Sequence, residues 1–136
     1  MVGLVIVCHG NLAQELINVA EVIVGKIEGA AAVSIGSVVE VDTAREEIGA
    51  AIKKVAGKEG TLILTDMFGG TPSNLSLAFL DEENVEVLTG VNLPMIIKFA
   101  NHRRDKEVKE LVSLVQGGGV RSIIVANEVL HQKLKK

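Results

Sequence analysis

Short apolar runs alternate with amphipathic stretches along this chain. The runs are Gly3–Cys8, Ala31–Ile35, Thr61–Thr65, Val85–Leu88 and Ser122–Ala126. Segments of this length, rich in Val and Ile, suit strands covered on both faces. Between them, apolar residues recur at helical spacing. Leu12, Leu16, Val19, Ala20 and Ile23 form one face, Ile48, Ala51, Ile52 and Val55 a second, and Val108, Leu111, Val112 and Val115 a third. Thr43 and Glu46 have the spacing of a capping box at the start of the second helix. Thr71-Pro72 reads as an N-cap followed by proline at the first helical position. Gly117-Gly118-Gly119 reads as the stop of the third helix and a flexible turn.

Strands alternating with helices predict a doubly wound α/β fold with a mostly parallel sheet. For about four parallel strands the flavodoxin-like order 2-1-3-4 is expected. That order makes the first and third strands neighbours at the topological switch point, where ligands bind beyond the strand C-termini. With 136 residues the chain is expected to form one domain, 1–136, with a core over about 1–119 and a last strand and tail over about 120–136.

Composition narrows the function. The net charge of −3 offers no basic field for nucleic acid or anionic lipid. The chain has no Trp or Tyr and three Phe, which argues against base stacking and against a flavin sandwich. It has neither GxGxxG nor GxxxxGK[ST]. A single cysteine, Cys8, excludes an internal disulfide and a CxxC site. His9, His102 and His131 have no metal-ligand spacing, so no metal and no other cofactor is expected. The apolar N-terminal run has no basic lead and ends at a histidine, unlike a signal peptide. No stretch approaches the roughly 20 apolar residues of a spanning helix. A cytoplasmic protein without membrane insertion is expected.

Two polar residues fall where the fold matters. His9 ends the first strand and Asp66 ends the third. If those strands are neighbours, the two side chains face one crevice. A carboxylate accepting from one imidazole nitrogen fixes the tautomer and leaves the other nitrogen as a lone-pair nucleophile. No hydroxyl stands beside His9 to be activated, so the imidazole itself is the candidate nucleophile. Gly10 leads into one helix and Gly69-Gly70-Thr71 into another. Helix N-termini, close-approaching glycine backbone and the Thr71 hydroxyl together suit an anion. These loops hold no Arg or Lys.

Val7-Cys8-His9-Gly10, the loop from Asp66 to Asn74, and Gly90-Val91-Asn92-Leu93-Pro94-Met95 resemble the IIA component of the mannose family of the bacterial sugar phosphotransferase system. The resemblance covers nearly the whole chain. It implies phosphorylation of His9 on Nε2 with Asp66 bonded to Nδ1. It implies the phosphocarrier HPr as donor and a IIB protein as acceptor. It also implies a homodimer that exchanges its last strand, about Ser122–Ala126. The family often has Ser or Thr where this chain has Cys8. No IIB domain follows within these residues, so the acceptor is expected to be a separate protein.

Blander readings stand beside these. Asp66 alone could be a helix-flanking cap, Gly69-Gly70 a tight turn, and Thr71 only an N-cap. Cys8 reads as a small buried hydrophobe, with its side chain on the face opposite to that of His9. His102, in the basic cluster Lys98 to Arg104, and His131 read as solvated. Phe68, with Met67, is either a local plug or an exposed partner contact. Three other functions compete. A receiver domain phosphorylated on Asp66 would need an acidic pair after the first strand to hold magnesium, and Cys8-His9 stands there. A nucleotide or flavin module lacks its motifs. A regulatory protein read by its phosphorylation state would use the same chemistry at His9.

Overall fold

The computed structural model describes residues 1–38, 40–82 and 84–134. Its elements run β1 (Gly3–His9), α1 (Leu12–Val24), β2 (Ala30–Ile35), α2 (Val41–Val55), β3 (Thr61–Thr65), α3 (Thr71–Leu77), β4 (Val85–Thr89), α4 (Leu93–His102), α5 (Val108–Arg121) and α6 (Ala126–Leu134). The four strands form one parallel sheet in the order β2-β1-β3-β4, as the alternation predicts.

Period-2 alternation divides the core. Leu4, Ile6, Cys8, Leu62 and Leu64 point toward α1, α4 and α5. Val5, Val7, Val33 and Ile63 point toward α2 and α3. Burying strand side chains on both faces is why β1 and β3 read as unbroken apolar runs. The second and third helical faces lie where expected: Ile48, Ala51, Ile52 and Val55 are buried, as are Val108, Leu111 and Val115.

The first helical face is corrected. Of the expected face Ala20 is buried and Leu16 packs partly against the core, but Leu12, Val19 and Ile23 are exposed and Ala13 and Ile17 turn inward instead. Bulky apolar residues surround α1, and its two inward alanines let the helix lie close to the sheet. The predicted caps also shift. α2 starts at Val41 after Glu40, so Thr43 lies inside its first turn and forms no capping box. The N-cap of α3 is Gly70, which places Thr71 at the first helical position.

The largest correction concerns the C-terminal region. Gly117-Gly118-Gly119 neither stops the helix nor forms a turn; α5 runs through it to Arg121. Missing side chains are needed there for close packing. A Cβ at Gly119 would sit 2.5 Å from Cγ of Met95, and one at Gly118 would sit 3.1 Å from Cγ of Lys98. The glycines therefore admit α4, which is also held by Asn92. The Asn92 side chain accepts from the Met95 N–H at 3.1 Å and donates to the Gly119 carbonyl at 3.3 Å. Beyond α5, Ser122–Val125 forms no strand among the described residues and gives way to α6. A strand needs a sheet edge to pair with, and among the described residues this segment pairs with none.

Arg103 is a second surprise within the basic cluster. It is only 4% exposed. Its Nε and Nη2 donate to the Val2 carbonyl at 3.0 and 2.7 Å, and its Nη1 donates to the Glu28 carbonyl. Its guanidinium lies 4.9 Å from the centre of the buried Phe99 ring. An acceptor at each of the three guanidinium nitrogens makes this burial tolerable.

Candidate functional site

β1 and β3 are adjacent, with Val7 opposite Thr65 in register. The chain therefore delivers His9 and Asp66 side by side, just past the last paired residues. Asp66 Oδ2 accepts the His9 backbone N–H at 3.0 Å and lies 2.7 Å from His9 Nδ1. Its Oδ1 accepts the Met67 N–H at 3.1 Å. Partial burial pushes the Asp66 carboxyl up. Hydrogen bonds from the His9 backbone and ring outweigh this and hold it below its ordinary value of 3.8. The carboxylate is therefore ionised near neutral pH and can only accept, which in the neutral imidazole favours the tautomer with the proton on Nδ1 and the lone pair on Nε2. Because the folded value is depressed, the stability contributed by the ionised carboxylate is fully present above the ordinary value. It is lost as pH falls through the lower folded one.

The two side chains differ in access. His9 is 49% exposed and Asp66 13%. A shielded carboxylate thus orients an open ring. Gly70 sits against the outer edge of that ring. A Cβ at this position would come within 3.1 Å of His9 Cε1 and 3.7 Å of Nε2. Any larger residue would crowd the lone pair. Gly10 has φ +56° and Gly69 φ +84°, backbone that favours glycine. Gly10 is tied down through its N–H to the Ile35 carbonyl at 2.9 Å and through its carbonyl, which accepts the Ser34 hydroxyl.

Neither α1 nor α3 has a side-chain cap bond at its start. Their first-turn N–H groups are therefore not taken up by a capping side chain on the His9 side of the sheet. Thr71 begins α3 directly after Gly70. Met67 and Phe68 are 55% and 76% exposed, so Phe68 is not a plug. Cavities of about 210 and 530 Å³ lie along β2 and α2 and do not include His9. At this edge the His9 ring is half exposed, which suits a site that must meet another macromolecule.

The other candidates drop away. Cys8 is buried, and burial followed by the nearby Asp66 charge pushes its thiol up to about 12, so no thiolate is available. The exposed His131 ring bonds the Asn127 carbonyl of its own helix at 3.0 Å. No group of three or more His, Cys, Asp or Glu among the described residues could hold a metal. Among the described residues no helix is long and apolar enough to cross a membrane.

The sequence reading missed two hydroxyls. Ser73 and Thr65 are buried beside the Asp66 loop and bond each other at 2.6 Å. Two small polar residues at the seam between an apolar strand and a loop were the available signal.

The profile of a family described as the PTS system fructose IIA component (EIIA-man) matches residues 3–116. The chain belongs to this family. It is 33% identical over 115 residues to the mannose-specific EIIAB component of Escherichia coli (strain K12), covering 83% of this chain and 36% of that protein. The chain therefore spans about a third of the length of that relative. It is 26% identical over 133 residues to the fructose-specific EIIA component of Bacillus subtilis (strain 168), covering 97% of this chain and 91% of the other. Among solved structures, the phosphotransferase system component EIIA from Streptococcus agalactiae superposes with a TM-score of 0.83 at 26% identity, covering 94% and 99% of the two chains. The EIIA fold and the parallel order found here agree.

Proposed function

We propose that this EIIA-family chain carries a phosphoryl group on His9 Nε2, taking it from phosphorylated HPr and passing it to a separate IIB protein in mannose-type sugar uptake. The observation that carries this reading is the 2.7 Å contact between His9 Nδ1 and the shielded Asp66 carboxylate, with the ring half exposed. In the first step the Nε2 lone pair attacks phosphorus and the bond from phosphorus to the donor nitrogen breaks. The ring then carries positive charge, which Asp66 stabilises. In the second step the acceptor attacks the same phosphorus and His9 leaves with its electron pair restored.

The phosphoryl oxygens would be held by the backbone at Gly10, Gly69 and Gly70 and by the N–H and hydroxyl of Thr71. Neutral donors suit a group that must leave again. Met67 and Phe68 would supply apolar contact with the protein partners. The residues 1–136 would act as one cytoplasmic carrier domain without a cofactor. A homodimer would give Ser122–Ala126 a sheet edge to pair with in the partner. This is supported by the exposed Val120, Ile123, Ile124 and Val125 and by β4, which has a neighbour on one side only.

The test is incubation with HPr, enzyme I and labelled phosphoenolpyruvate. Wild type should take up one acid-labile, alkali-stable phosphoryl group, and His9→Ala none. Full labelling of His9→Ala would overturn the reading.

A further inference from the structure

Asp66 lies between two residues held by a single buried hydroxyl. Ser73, in the first turn of α3, is 1% exposed, and Thr65, the last residue of β3, is fully buried. Ser73 Oγ bonds the Met67 carbonyl at 2.5 Å and Thr65 Oγ1 at 2.6 Å. A carbonyl can only accept, and serine has one hydroxyl proton. Ser73 therefore donates to Met67, and Thr65 donates to Ser73. The chain of bonds runs from β3 through Ser73 to Met67. On the other side of the Met67 Cα, the Met67 N–H holds Oδ1 of Asp66, leaving Oδ2 for His9.

We infer that Ser73 is a positioning residue for phosphoryl transfer, fixing Met67 so that the Asp66 carboxylate keeps one oxygen on His9 Nδ1. This rests on the proposed role of His9. Without the Ser73 hydroxyl, the peptide between Met67 and Phe68 loses its anchor, and Met67 is free to turn about its φ and ψ, which loosens the N–H that orients the second carboxylate oxygen. His9 then samples the tautomer with its proton on Nε2, which is not nucleophilic.

The experiment uses the full chain and two readouts. Imidazole 15N shifts report the His9 tautomer with no phosphodonor present, and HPr-dependent labelling reports the rate. Ser73→Ala should mix the tautomers and slow labelling by about 10- to 100-fold, the scale of a small misplacement in a reacting pair. Thr65→Val keeps the Ser73 bond to Met67 and should stay near wild type in both readouts. The double variant Thr65→Val, Ser73→Ala removes both hydroxyls together, which leaves no orphaned Thr65 donor to destabilise the fold. It should still show mixed tautomers. A folded double variant with wild-type tautomer and rate would overturn the inference. So would a loss in Thr65→Val as large as that in Ser73→Ala. If wild type itself takes no label on His9, the carrier reading fails, while the tautomer shifts still decide the role of Ser73.

Discussion

The two ends of the sheet treat charge in opposite ways. At the amino ends of the strands, Arg103 is buried and spends its donors on the carbonyls of Val2 and Glu28. That charge ties α4 to β1 and to the turn before β2, and nothing can exchange with it. At the carboxyl ends, the Asp66 carboxylate is shielded but its partner His9 is open. Here the charge orients a neighbour and leaves one nitrogen free. The difference separates a group that stabilises a fold from a group that can do chemistry. Both are polar clusters within one sheet, and only the exposure of the partner distinguishes them.

Substitutions at each end should therefore fail in different ways. The largest effect is expected from Asp66→Asn. The amide keeps the shape, so thermal unfolding should move little. It cannot stabilise a positively charged phosphorylated ring, and it can favour the wrong tautomer. Phosphoryl transfer from HPr should fall by about 10²- to 10⁴-fold, the upper figure being the loss seen when a triad carboxylate becomes an amide. An unchanged rate would reduce Asp66 to a helix-flanking residue.

Arg103→Met should do the converse. It preserves much of the stem but leaves the Val2 and Glu28 carbonyls without donors. The expected loss is about 3 kcal/mol in chemical denaturation, in line with orphaned buried acceptors. At a temperature where the variant remains folded, labelling of His9 should change by less than about 2-fold, because distant sites without shared partners act independently. A large loss of transfer in the folded variant would break the separation between the two ends.

The sequence made much of this legible, for identifiable reasons. β1 and β3 are apolar at every position because both faces are covered, so the strands and their order could be read. His9 and Asp66 could be placed together because parallel order brings those two strand ends side by side. The face of α1 was misread because Leu12, Val19 and Ile23 are larger than the inward Ala13 and Ala20, and apolar periodicity does not reveal which side packs. The glycine triplet was misread because a glycine needed for close approach and one needed for a turn look alike in sequence. Its real constraint is Met95, contributed by a helix in another part of the chain. Ser122–Ala126 has strand composition, but composition cannot say whether an edge is available. The hydroxyl pair Thr65–Ser73 depends on the path of the loop between them, which spacing does not encode.

The smallest effect on the fold is expected from Phe68→Ala. This exposed ring leaves no cavity when truncated, so stability should stay within about 0.5 kcal/mol. Transfer from HPr should weaken while the His9 tautomer is unchanged, which would mark Phe68 as a partner contact. A loss of about 3 kcal/mol or more, typical of a buried phenylalanine, would mark it as core instead.

Asp66 is expected to reserve Nδ1 of His9 and to leave Nε2 to carry phosphoryl. Phosphorylating 15N-histidine-labelled protein with HPr, enzyme I and phosphoenolpyruvate, then recording phosphorus-to-nitrogen coupling by NMR, tests it most directly. One-bond coupling to Nε2 of His9 is expected. Coupling to Nδ1, or phosphoryl found on another residue, would contradict it.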